Sequence, residues 1–183
     1  MTSIIKVDEI QTTSGSGFVK PMAGSIIQIQ YDQYTGTDSQ SISSQTDTAL
    51  DNLSVSITPT STSSVIKLEA QIFFEPSTVV SEYNNLFFFY RDSTKLAADT
   101  AGSRPLGVSI STTGFYSNDA SSTPSMAHLT YFDTPSSTSA ITYKVGAWFY
   151  GAVTFYMNRS VTDTNGADYE RGISLISATE IAG

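Results

Sequence analysis

The stretch VIKLEAQIFF, Val65 to Phe74, sets Ile66, Leu68, Ala70, Ile72 and Phe74 against Lys67, Glu69 and Gln71. Side chains of a strand point alternately to opposite faces, so this period of two describes a strand with one buried and one solvated face. Sheets wet on one side are characteristically antiparallel. The neighbouring segments repeat the pattern. GSIIQIQY, from Gly24, alternates Ile27, Ile29 and Tyr31 with Gln28 and Gln30, and LSVSI alternates Leu53, Val55 and Ile57 with Ser54 and Ser56.

The run from Leu86 to Tyr90 (LFFFY) has no polar face. It is expected to be covered on both sides, by the core and by a neighbouring subunit. Arg91-Asp92-Ser93-Thr94 reads as the turn that follows it. Further strands are expected over residues 107–112, 127–132, 141–150, 153–158 and 172–181, with loops over 35–48, 116–124 and 162–168. The one helical candidate, 93–101, lacks an apolar stripe at i, i+3, i+4 and reads as a hairpin tip. Strands at this spacing give an all-β, antiparallel jelly-roll-like β-sandwich head over residues 24–183. Residues 1–23 read as an N-terminal extended docking or stalk segment, the alternative being a first strand of the main sheet.

Two Thr-Pro stretches look like a repeat: TPTSTSSVIK from Thr58 and TPSSTSAITYK from Thr134. Aligned, Val65 falls on Ile141, yet the apolar set of the first is Ile66, Leu68, Ala70, Ile72 and that of the second is Ile141, Tyr143, Val145, Ala147. The parities are opposite, and a one-residue offset turns a strand over. Solenoids need a third copy, which the chain lacks. Each stretch is therefore a turn of Pro and hydroxyl residues leading into a long core strand.

Composition narrows function. The chain carries 9 basic and 17 acidic residues for a net charge of -8, a poor match to a phosphate backbone, so nucleic-acid binding is not expected. Charged residues are 14% of the chain, against roughly 25% in ordinary domains, and Ser and Thr fill their place. With no Cys there is neither a disulfide framework nor a thiol nucleophile. The opening MTSIIKVDEI lacks the pattern of a signal peptide, and no apolar window reaches the length of a spanning helix, so membrane insertion is not expected.

Candidate sites are sparse. His128 is the only histidine; Ser125 and Asp133 could be imagined beside it, but no G-x-S-x-G elbow occurs, and an ordinary strand histidine is the preferred reading. DTNGAD, Asp163 to Asp168, offers Asp163, Asn165 and Asp168 as oxygen ligands for a hard cation, but the closing Glu of a calcium loop is missing. An Asn-Gly turn explains Asn165-Gly166 without metal. No cofactor motif is found. Tyr31 and Tyr34, Phe115 and Tyr116, and Trp148 with Tyr150 include candidate saccharide-stacking rings, of which Tyr34, Phe115 and Tyr116 are singled out. Phe87, Phe89, Phe149 and Phe155 are taken as subunit-interface candidates. A glycan-active enzyme would need paired carboxylates, and nothing in the pattern groups Glu69, Glu75 and Glu82. Asn52-Leu53-Ser54 and Asn158-Arg159-Ser160 match the glycosylation sequon.

The order SIIKVDEIQTTSGSG, GSIIQIQY, LSVSITPTSTSSVIKLEAQIFF, FFFYRDSTKL, YFDTPSSTSAITYKVGAWF and FYMNRSVTDTNGADYERGISLISATEIAG resembles virion appendage proteins of marine tailed phages, cyanophages especially, from Ser3 to Gly183. The resemblance implies a jelly-roll head similar to those of tumour necrosis factor and C1q, a homotrimer, and a non-enzymatic place on the virion as fibre, knob or capsid decoration. It implies docking to other virion proteins through residues 1–23 and contact with host-surface glycan. Long fibres carry an extended shaft before such a head; here about 23 residues precede it, which suits a short fibre, a knob or a decoration protein seated on the shell.

Overall fold

The computed structural model describes residues 21–78, 84–97, 102–111 and 122–183. Among these the chain forms strands and no helix: β1 (Ile26–Tyr34), β2 (Asp38–Ile42), β3 (Thr48–Ile57), β4 (Val65–Pro76), β5 (Asn85–Arg91), β6 (Thr94–Lys95), β7 (Ser125–Asp133), β8 (Ile141–Phe149), β9 (Val153–Met157) and β10 (Ser174–Ile181). They pair antiparallel in two sheets. The long β4 organises the first: Val65 to Gln71 pairs with β10, Phe74 to Pro76 with β9, and the opposite edge with β7. β1 lies outside β10 and β2 outside β9. The second sheet runs β3-β8-β5-β6.

Successive long strands alternate between the sheets, giving the orders β1-β10-β4-β7 and β3-β8-β5-β6, with β2 and β9 continuing the rows of β1 and β10. This is the double Greek key of a jelly roll. Both Thr-Pro stretches are crossings between the sheets, the first from β3 to β4 and the second from β7 to β8. Their opposite parity is real: β4 buries Ile66, Leu68, Ile72 and Phe74, whereas β8 buries Ile141, Tyr143, Val145 and Phe149.

β2 falls inside the expected loop 35–48. DSQSI has only Ile42 to bury, so no apolar alternation announces it; backbone pairing with β9 holds it at the sheet edge. Segment 107–112, expected as a strand, contributes a single bridge from Ser109 to Phe87 among its described residues. The turn at Arg91–Thr94 forms as expected, with Asp92 at φ 53° and its carboxylate accepting from the Thr142 N–H.

The core lies between the sheets and centres on four rings. Phe74 stacks on Phe155 at 4.9 Å and meets Phe87 edge-on at 5.0 Å, with Phe149 edge-on at 6.5 Å. This overturns the placement of Phe87, Phe89, Phe149 and Phe155 at a subunit interface, because all four are enclosed within the single chain. The second cover over LFFFY is also intramolecular. Phe88, on the outer face, is wholly buried over Gly146, with the Tyr90 ring edge-on at 5.3 Å and the Lys95 ammonium 4.0 Å above it. A Cβ on Gly146 would fall 2.3 Å from Phe88 Cε2 and 2.7 Å from Tyr90 Cε2. Gly146→Val is accordingly expected to cost about 3 kcal/mol in a urea melt, the upper range of overpacking; an unchanged midpoint would show that the rings move freely.

Candidate functional site

The buried carboxylates come first, since acid–base chemistry would need them. Glu180 ends the inward row Ile176, Ala178, Glu180 of β10 and is fully enclosed. Oε1 accepts from Thr60 N–H, Thr60 Oγ1 and Ser64 Oγ, each at 2.7 Å, and Oε2 accepts from Gln28 Nε2 at 2.6 Å. Burial pushes this carboxyl upward, but the hydrogen bonds from Ser64, Gln28 and Thr60 outweigh it and hold it below the ordinary glutamate value. The hydroxyls of the first Thr-Pro stretch thus clamp a carboxylate. Glu75, equally enclosed near the β9 end of β4, accepts from the Thr123 N–H and hydroxyl and from the Val161 N–H at 2.6 Å, tying two loops to the strand.

Asp133 is buried at the end of β7, held by Arg91 Nη1 at 3.1 Å and by the Tyr143 hydroxyl at 2.7 Å. Burial, then the hydrogen bond to Asp133, drives the Tyr143 phenol far above its ordinary range, so it stays a donor at any physiological pH. Ser125 and Asp133 share the inward face of β7 but stand eight residues apart, roughly 27 Å of strand. His128 lies between them on the other face, exposed, paired across the sheet with Gln71. The imagined Ser-His-Asp group is not assembled. Glu69 is engaged with Lys67 at 2.8 Å, and Glu82 lies outside the described residues.

Asp163 faces cations of the protein itself: Arg171 grips it through Nε at 3.0 Å and Nη2 at 2.7 Å, and Arg159 approaches to 3.8 Å. A metal there would have to displace two guanidiniums. Asn165 and Asp168 are exposed on the same loop, where the Tyr169 ring lies against Gly166. Among the described residues no three His, Cys, Asp or Glu side chains come together to hold a metal ion.

Tyr34 is not a free stacking platform: its hydroxyl donates to the Thr37 carbonyl at 3.0 Å, and its ring packs on the core and against Gly36. Phe115 and Tyr116 lie outside the described residues. The second sequon is closed, because the buried Asn158 gives its side-chain N–H groups to the carbonyls of Tyr34 and Gly36 and accepts from Ser174. Asn52, at φ 61°, donates to Asp38.

Two surfaces bear on function. The outer face of the first sheet presents the cross-strand rows Ile29-Thr179-Lys67-Phe132 and Tyr31-Ser177-Glu69-Thr130. Tyr31 is 73% exposed, Phe132 56% and Ile29 55%. The formal charges of these rows are Lys67 and Glu69, which pair with each other. A chain of net charge -8 therefore owns a sheet face with apolar groups and no net charge. The second surface is a cavity of about 280 Å³ on the outer side of the other sheet, beside Trp148. The sequence offered Trp148 as a candidate stacking ring but not its partners in the cavity, because Gln45 and Arg104 are distant from it in the chain. No protein-family model matches the chain, and no curated protein matches it.

Proposed function

We propose that the chain is a non-enzymatic virion structural protein of a tailed phage: a homotrimeric jelly-roll head that forms a fibre or knob appendage, docks through residues 1–23 and meets host-surface glycan. The observation that carries self-association is the charge-balanced, partly apolar outer face of the first sheet, with Ile29, Tyr31 and Phe132 exposed. Patches of this kind are covered in the working assembly. Interface centres are poor in charge and rich in aromatic groups. A second copy is the fitting occupant, because strongly acidic chains can meet without repulsion only where their faces are neutral. The three-fold order and the place on a virion rest on the resemblance to phage appendage proteins with tumour-necrosis-factor-like heads.

The non-enzymatic reading is supported by the occupations of Glu75, Glu180, Asp133 and Asp163, each engaged in holding loops or guanidiniums. Capsid decoration is the second reading, which the same resemblance implies. Immunogold labelling of intact particles separates the two: tail or fibre tips for attachment, the whole shell for decoration.

Sedimentation velocity tests the assembly. The wild-type chain is expected as a trimer, and Tyr31→Asp with Phe132→Glu as a folded monomer with unchanged far-ultraviolet circular dichroism. A stable wild-type monomer at micromolar concentration would overturn the proposal. A trimer that survives both substitutions would move the interface elsewhere.

A further inference from the structure

We infer that the cavity beside Trp148 binds an acidic saccharide, a pyranose ring carrying a carboxylate or sulfate. The inference deepens the display reading, and rests on it for the source of the ligand. β8 points Thr142, Lys144, Gly146 and Trp148 to the outer face, opposite its buried odd-numbered residues. The half-buried Trp148 indole forms one wall of a cavity of about 280 Å³, whose other walls include Gln45, Asp47, Lys95, Arg104 and Pro105.

The charges of this cavity are arranged unevenly. Lys95 is fixed between Asp47, at 2.8 Å, and the Phe88 ring, and is neutralised there. Arg104 is exposed and has no carboxylate partner among the described residues. Lys144 is the other described cation without one, and it lies on the same outer face two residues from Gly146 and four from Trp148. Lys67, Arg91, Arg159 and Arg171 are each paired with a carboxylate. In an acidic chain the unpaired positive groups among the described residues thus belong to one face, the face of its sole tryptophan.

Chemistry selects the ligand class. The C–H face of a sugar ring packs on an indole, and a guanidinium gives a carboxylate or sulfate paired, charge-assisted hydrogen bonds. The Gln45 amide and the Asp47 carboxylate add partners for ring hydroxyls. Lys144 stands about 13 Å along β8 from Trp148, within reach of the charge on a following ring, which favours a repeating acidic polymer over a single sugar.

Because Trp148 is the only tryptophan, its fluorescence reports directly on the cavity. The full chain would be titrated with a uronate tetrasaccharide, a sulfated galactan tetrasaccharide, a neutral galactan tetrasaccharide and hexaglutamate. A saturable emission change with one or both acidic saccharides is expected, weaker at higher ionic strength, with little response to the neutral sugar or the peptide. Arg104→Gln, at the surface, should weaken binding by about tenfold while leaving the emission of the free protein unchanged. No saturable change with either acidic sugar at millimolar concentration, equal binding of the neutral sugar or of hexaglutamate, or an Arg104→Gln chain that binds like wild type would each overturn the site. Sedimentation of the same samples keeps the two proposals apart. An intact trimer without response sinks the cavity alone, and a responding monomer sinks the assembly alone.

Discussion

Phe74→Ala is expected to lower the unfolding free energy by about 4 kcal/mol, within the range for truncating a buried Phe. The position is demanding for reasons particular to this sandwich. Phe74 has no solvent exposure, and its ring touches partners from both sheets: Phe155 on β9 of the first, and Phe87 and Phe149 on β5 and β8 of the second. Removing it deletes a stacked and two edge-on contacts at once. The void could close only if the sheets moved together, and the paired rows of β4 with β10 and β7 resist that. A domain of this length should melt about 12 °C lower, by calorimetry or by the loss of near-ultraviolet circular dichroism. A shift of only a few degrees would mean that the neighbouring rings collapse into the space. Phe74→Leu, which keeps most of the volume, should recover more than half of the loss.

Glu180→Ala is the second large effect, expected at about 3 kcal/mol, because it strands the Thr60 N–H and the buried Ser64 hydroxyl without their acceptor. Glu180→Gln should cost less, since one oxygen remains. The same residue predicts a pH dependence. Its folded value lies below the unfolded one, about 4.3, so the unfolded chain binds the proton more tightly. The stabilisation is complete above that pH and is lost as pH falls through the depressed folded value. Urea melts at descending pH should show a steep acid limb in the wild type and a shallower one in Glu180→Gln. Parallel limbs would show that another carboxylate governs acid unfolding.

Parity made most of the sandwich legible. The alternation of Val65 to Phe74 fixed a strand and its inward face, and the opposed parity of the Thr-Pro stretches correctly denied a repeat. Glu180 was legible too, in hindsight, for it stands in step with Ile176 and Ala178 and so had to point inward. Glu75 was not: it belongs to the outward row of β4 and is buried only because loops from Thr123 and Val161 fold over it. Phe88 failed for a related reason. A run without a polar face tells that both sides are covered, but not by what. The cover proved to be the ammonium of Lys95 and the cleft left by Gly146, the latter a contact between strands that no local window contains. The Trp148 cavity is hidden in the same way, assembled from β8, the approach to β3 and the segment around Arg104.

The closing of β1 on β10 has a mechanical consequence. Gly24 donates to the Ala182 carbonyl and Ala182 to that of Ser25, and the ladder continues from Ile26 opposite Ile181 to Tyr34 opposite Ser174. Tension entering at Ser25 along the strand axis must strain that whole ladder at once, in shear. Pulled sideways, the same strand would peel away one pair at a time. A head tethered at this pole and tugged along its length would hold far harder than one tugged across it.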